Sequence, residues 1–180
     1  MKVLNTDIEG LLIIEPKVFE DERGYFFESY NKQKFLDAGL EFDFIQDNQS
    51  KSVYGTIRGL HFQKGEFAQA KLVRALQGKV LDVAVDLREG SKTYGKHVAV
   101  ELSEENKRQL LIPRGFAHGF AVLSEVAVFA YKCDNVYNKE SEGGLYYADP
   151  DLGIDWKIPA GKEILSEKDK VLPMLKDLWE

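Results

Sequence analysis

The run Lys79-Val80-Leu81-Asp82-Val83-Ala84-Val85-Asp86-Leu87-Arg88 decides the fold. Leu81, Val83, Val85 and Leu87 alternate with Val80, Asp82, Ala84 and Asp86, the period-two pattern of a strand whose successive side chains point to opposite faces. The same alternation extends outward on both sides, through Lys71–Gln77 and His97–Ser103. Leu110–Pro113 and Phe116–Leu123 flank a turn at Pro113–Gly115, and Phe129, Tyr131 and Cys133 share one phase of Ala127–Cys133. Gly55, Gly65, Gly78, Gly90, Gly95 and Gly115 punctuate these runs at the spacing of an antiparallel sandwich or barrel. Helical periodicity is confined to Asn31–Ala38, stopped by Gly39, and to Ser166–Leu178, where Ser166 is the N-cap and Asp169 follows three residues later. Pro173 predicts a kink there or a division into two pieces. The pattern predicts an all-β fold, a double-sheet jelly-roll barrel with short peripheral helices.

Composition narrows the function. A chain of 180 residues without a repeat or a Pro/Gly/Ser-rich linker predicts one domain spanning 1–180. No apolar run approaches the roughly 20 residues of a membrane span. The N-terminal residues lack a basic-then-apolar signal pattern, and the single Cys133 cannot form an internal disulfide, so a cytoplasmic chain is expected. With 24 Lys+Arg against 30 Asp+Glu the net charge is −6. A general nucleic-acid binder draws its affinity from a basic face, so that class is disfavoured. A small phosphorylated ligand held by a few local arginines remains compatible.

Two segments carry chemistry: Arg58-Gly59-Leu60-His61-Phe62-Gln63 and Pro113-Arg114-Gly115-Phe116-Ala117-His118. They resemble the two signature motifs of the cupin barrels, with departures. Gly55 and His61 fit the first motif, but Gln63 stands at its second histidine and Lys71 at its glutamate. Pro113, Gly115 and His118 keep the core of the second, while Val122 replaces its closing asparagine. A divalent metal in such a site wants three imidazoles and a carboxylate. Here it would meet two imidazoles, an amide and an ammonium that has no lone pair to give. The expectation is therefore a metal-free site, with a metal-dependent cupin enzyme as a lesser alternative. His61, Lys71, His118 and Tyr131 suit base catalysis beside a developing negative charge instead.

At these residues the resemblance becomes specific. The matching stretches run from Phe19-Glu20-Asp21-Glu22-Arg23-Gly24-Tyr25-Phe26-Phe27-Glu28 and Gln46-Asp47-Asn48-Gln49-Ser50 through Arg58–His61, Gln69–Val73 and Gly78–Arg88. Pro113–Phe120, Phe129–Lys132, Asp149-Pro150 and Leu165–Asp169 complete the set. No single stretch is specific; their order and spacing are. Over nearly its whole length the sequence resembles the dTDP-4-dehydrorhamnose 3,5-epimerase family. The resemblance implies inversion of C3 and C5 of a nucleotide-linked 4-keto-6-deoxyhexose through an enolate. It also implies His61 as base, Asp169 as the partner that orients it, Lys71 on the enolate oxygen and Tyr131 as the acid on the opposite face. Arg23, Phe26, Glu28, Gln46, Asn48, Arg58, Lys71, His118, Glu142 and Lys168 would bind substrate. Arg23, Phe26 and Glu28 would complete the site of a neighbouring subunit in a homodimer. No cofactor is expected, because proton transfer α to a ketone needs no redox partner.

The residues alone permit plainer readings. An inward histidine or tyrosine on a strand is more often a hydrogen-bonded core residue, and a strand lysine is more often at a wet edge. Asp169 stands where an acid completes a helix cap. Trp156 and Trp179 read as packing residues. Arg58 and His61, three apart, face opposite ways in a regular strand, although Gly59 allows a bulge. Two alternatives stay open: an epimerase of C3 or C5 alone, and a non-catalytic sugar-nucleotide-binding barrel.

Overall fold

The computed structural model describes residues 1–179; Glu180, the end of the expected domain, lies outside them. The strands in chain order are β1 (Lys2–Asn5), β2 (Leu12–Glu15), β3 (Phe19–Asp21), β4 (Gly24–Phe26), β5 (Gln46–Val53), β6 (Ile57–Gln63), β7 (Lys71–Gln77), β8 (Lys79–Asp86), β9 (His97–Ser103), β10 (Gln109–Ile112), β11 (Phe116–Val122), β12 (Val126–Cys133) and β13 (Glu142–Gly144). They form a six-stranded sheet in the order β1-β2-β10-β7-β12-β5, a five-stranded sheet in the order β13-β6-β11-β8-β9, and a separate β3–β4 hairpin. Every pairing between these strands is antiparallel. The all-β, cupin-like barrel expected from the sequence is what forms. No helix among the described residues is long and apolar enough to cross a membrane.

Three apolar clusters hold the layers together. Val73, Leu110, Ile112 and Phe129 from the larger sheet meet Val80, Ala84, Leu102, Phe116 and Phe120 from the smaller one and fill the barrel. A second cluster joins Leu81, Val83 and Val85, on the outer face of β8, and Leu87 just beyond its end, to Leu145, Leu152, Trp156 and Leu178. The third sets Phe35 and Leu40 on Leu72 and Leu111, over the outer face of the larger sheet. β8 is thus buried on both faces. Its purely apolar phase points outward beneath the C-terminal segment, while the phase bearing Asp82 and Asp86 points inward.

The expected helix at Asn31–Ala38 forms as α1 (Lys32–Asp37); the Asn31 side chain accepts from the Lys34 N–H at 3.2 Å. The expected helix over Ser166–Leu178 does not form. Two 3-10 turns, Asp169–Val171 and Leu175–Asp177, lie on either side of Pro173. The Tyr146 N–H donates to the Pro173 carbonyl at 2.8 Å, and the Leu175 N–H donates to buried Asp149 at 2.6 Å. Those tertiary bonds replace the ladder that proline interrupts. Trp156 packs in the outer cluster as expected, donating to the Tyr147 carbonyl. Trp179 does not, being 60% exposed and resting edge-on against Phe62.

Candidate active site

The site starts with an irregularity in β6. His61 pairs with His118 of β11, but Arg58 pairs with Phe120, so three steps along β6 match two along β11. That extra residue turns Arg58 and His61 to the same, inner face. Glycine is required on both strands. Gly59 has φ +131°, and a Cβ added there would lie 2.5 Å from the Cα of Gly119; one on Gly119 would lie 2.7 Å from the Arg58 carbonyl oxygen. The bulge that Gly59 allows is therefore present.

His61 and Arg58 open onto a cavity of about 740 Å³ between the sheets, whose walls include Ser50, Ser52, Lys71, His118, Phe120, Tyr131, Ile164, Leu165, Lys168 and Asp169. Each functional side chain has a rigid source. Lys71 opens β7 and Tyr131 lies near the end of the adjoining β12, both on the six-stranded sheet. His61 and His118 sit opposite them on the five-stranded sheet. Asp169 arrives from the C-terminal segment, which joins the start of β6 through paired main-chain bonds between Ile164 and Gly55/Ile57.

The His61 Nε2 lies 2.6 Å from Asp169 Oδ1. Asp169 is 3% exposed. Burial pushes its carboxyl up, but hydrogen bonds from His61, Ser166 and the Gly59 N–H outweigh burial and hold it below the ordinary carboxylate range. The Asp169 N–H also bonds the Ser166 hydroxyl at 3.1 Å, so the backbone takes the capping role while the side chain serves His61. Burial pulls the Lys71 ammonium below the usual lysine range, against the opposing pull of Cys133 and Asp82. Burial also pushes the Tyr131 hydroxyl up, aided by Cys133 and opposed by Arg58. The Arg58 Nε donates to Ser52 Oγ at 3.0 Å.

Of the four cupin ligand positions, His61, Lys71 and His118 line the cavity. Gln63 does not, since its amide is consumed by the Phe67 and Val136 carbonyls at 2.7 and 3.0 Å. Among the described residues no three His, Cys, Asp or Glu side chains gather where a metal ion could sit.

The other sequence-predicted residues lie elsewhere in the chain. Arg23 and Phe26 are exposed on the β3–β4 hairpin, where Arg23 pairs with Asp21 at 2.5 Å. Glu28 pairs with Lys34 and accepts from Asn31. Gln46 accepts from the Tyr137 N–H at 3.1 Å, and Asn48 donates to Cys133 Sγ at 3.8 Å. Glu142 reaches the cavity rim through Lys168, 2.6 Å away. Sequence reasoning missed Asp82, whose carboxylate meets His118 Nε2 at 2.9 and 3.1 Å. The only available signal was that it shares a strand phase with Val80 and Ala84.

Comparison with known proteins fits this arrangement. The family model for dTDP-4-dehydrorhamnose 3,5-epimerase matches residues 5–177. The dTDP-4-dehydrorhamnose 3,5-epimerase of Salmonella typhimurium is 55% identical over 176 residues, covering 97% of this chain and 96% of its own. The crystal structure of the enzyme of that name from Elizabethkingia anophelis superposes with a TM-score of 0.94 at 63% identity, over 98% of this chain and 97% of that one. A dTDP-6-deoxy-D-glucose-3,5-epimerase from Legionella pneumophila, solved in complex with dTDP-4-keto-L-rhamnose, gives 0.93 at 50% identity over 97% and 93%. Half or more of the aligned positions shared, over more than nine-tenths of both chains, allows a single placement: the chain belongs to the dTDP-4-dehydrorhamnose 3,5-epimerase family.

Proposed function

We propose that this epimerase inverts C3 and C5 of dTDP-4-dehydro-6-deoxy-D-glucose by proton transfer through an enolate, with His61 and Tyr131 acting from opposite walls of the cavity. The observation that carries this reading is the topology: the imidazole and the phenol come from different sheets and face one space. Inversion α to a ketone needs a base on one face of the ring and an acid on the other. His61 removes the proton from C3 or C5. Asp169 keeps the ring oriented and stabilises the imidazolium that results, as a triad carboxylate does. The electron pair left on carbon moves into the C4 carbonyl, where Lys71 meets the enolate oxygen. Tyr131, kept protonated by burial, returns a proton to the opposite face. A positioned base is typically worth roughly 10²–10⁴-fold and one oxyanion donor roughly 10²–10³-fold. Arg58 acts at the phosphate end, where a guanidinium matches two phosphate oxygens at once, and Lys168 with Glu142 contacts the substrate at the cavity rim.

A homodimer follows from the same reading. Arg23, Phe26 and Glu28 lie away from the cavity, and the hairpin that carries two of them also exposes Phe19 and Tyr25. Those residues serve the site of the partner. A mixture of Arg23→Ala and His61→Asn subunits, each nearly inactive alone, then regains activity. We further read residues 1–180 as one domain, which unfolds in a single transition, and the chain as cytoplasmic.

The deciding experiment is proton NMR of the sugar nucleotide incubated with protein in heavy water. Loss of signal at both C3 and C5 with formation of the L-lyxo product is expected. Exchange at one carbon would make the chain a mono-epimerase, and exchange at neither would point to a different sugar nucleotide as substrate or to a binding protein. His61→Asn, folded as judged by its melting curve, is expected to lose exchange at both carbons.

A further inference from the structure

The mechanism above gives no task to Asp82. Its side chain is fully enclosed in the middle of β8, and both oxygens face His118 Nε2 on β11, at 2.9 and 3.1 Å. A carboxylate accepts and does not donate, so Nε2 carries the ring proton and Nδ1 is the nitrogen left over. Nδ1 has no hydrogen-bond partner among the described residues. It is not a sealed orphan either, because Ser50 Oγ is the one side-chain atom among them that is both buried and unpartnered. Nδ1 is therefore reached from the cavity that His118 lines. Lys71 lines the same cavity, also without an ion-pair partner among the described residues, and lies close enough to feel the charge of Asp82.

The fold by itself has no use for this carboxylate. Asp82 shares the inward phase of β8 with Val80 and Ala84, where an apolar side chain would extend the core, and a buried charge is costly unless it is paired. We infer that Asp82 is a positioning residue for the reaction: by holding Nε2 it aims Nδ1 of His118 into the cavity beside Lys71, at the oxygen on which charge develops. In the ground state Nδ1 is an acceptor. A proton taken up from solvent as substrate binds makes it a donor to that oxygen, and the Asp82 carboxylate supplies the counter-charge. This inference rests on the proposed enolate chemistry.

Two measurements test it. Long-range proton–nitrogen NMR of the ¹⁵N-labelled protein, without substrate, is expected to show His118 protonated at Nε2; a proton on Nδ1 alone would overturn the proposal. Asp82→Asn is expected to lower kcat about 10²-fold, with KM and dTDP affinity within about threefold of the unmutated protein. Made in a His118→Asn background, the same substitution is expected to change kcat less than twofold, because its effect passes through the imidazole. A full penalty in that background, or a single mutant within twofold of the unmutated protein, would overturn it. If Asp82→Asn does not fold, Asp82→Ser carries the same comparison. Should the unmutated protein show no exchange at C3 or C5, the enolate reading falls, while the tautomer measurement still reports whether Asp82 holds the ring.

Discussion

Two histidines, paired in register on neighbouring strands, each face a carboxylate, and the two pairs are built differently. His118 and Asp82 are both buried, 36 residues apart in sequence, on strands hydrogen-bonded to each other within one sheet. His61 keeps about a third of its side chain open to the cavity, and its partner Asp169 comes from a 3-10 turn 108 residues away. The first pair is fixed by a β-ladder and cannot be assembled without the barrel. The second exists only when the C-terminal segment is docked over the outer face of β6, β11 and β8. A group that must exchange protons with a ligand needs an open face. A group that must hold one orientation is better sealed in.

The largest expected effect separates the pairs by what each carboxylate orients. Asp169→Asn is expected to reduce kcat by about 10³-fold or more, because an amide can present a donor to Nε2 and release the tautomer that makes His61 a base. Steady-state kinetics with a melting curve checks this, and a loss below tenfold would put the two pairs on the same footing. Next comes Tyr131→Phe. Deuterium exchange at carbon, which needs only the His61 pair, is expected to survive better than inversion, which falls about 10²-fold. Equal loss of both would mean that the far wall takes part in proton removal.

A smaller effect probes the docking itself. Asp149→Asn weakens the bond to the Leu175 N–H and the turn at Asp151. It is expected to cost about 1–3 kcal/mol of stability and to slow turnover several-fold, while the NMR signature of His118 stays unchanged. The smallest effect is a pH dependence. Asp169 titrates below its unfolded value, so its contribution to stability is present above the unfolded carboxylate range near 4 and fades as pH falls through the folded pKa. The melting-temperature gap between the unmutated protein and Asp169→Asn is expected to shrink across that window, going from neutral to acid.

These contrasts show what a sequence can carry. Alternation located β7 through β12, because a residue cannot leave its face without moving its whole strand, but it did not pick out β1 to β6 or β13. The same alternation did not tell which face of β8 was inside. The uniformly apolar phase Leu81, Val83, Val85 and Leu87 lies under the C-terminal segment, and Asp82 stands in the barrel, where an unpaired acid would be intolerable. His118 supplies the missing partner, a relation across two strands that no local pattern encodes. Gly59 signalled the bulge at Arg58–His61 because only glycine fits against Gly119. The Ser166–Leu178 segment was overread as helix. Its cap is real, but Pro173 and the side chain of Asp149 redirect the backbone bonds that would have continued it. The role proposed for Asp169 was not derivable locally, since capping and catalysis ask for the same residue type at the same position.

The close approach of Gly59 to Gly119 has a consequence for how such an enzyme diversifies. With main chain resting on main chain, the spacing between His61 and His118 is set by peptide geometry and is insensitive to the size of surrounding side chains. Part of the cavity's remaining boundary comes from an edge strand, at Ser50, and from the segment at Ile164 and Leu165. Those positions can drift to admit a bulkier or differently hydroxylated sugar while the proton-handling frame keeps its dimensions. Heritable change in substrate range is thereby uncoupled from the chemistry, and laboratory selection for new sugars has its natural starting library at those three sites.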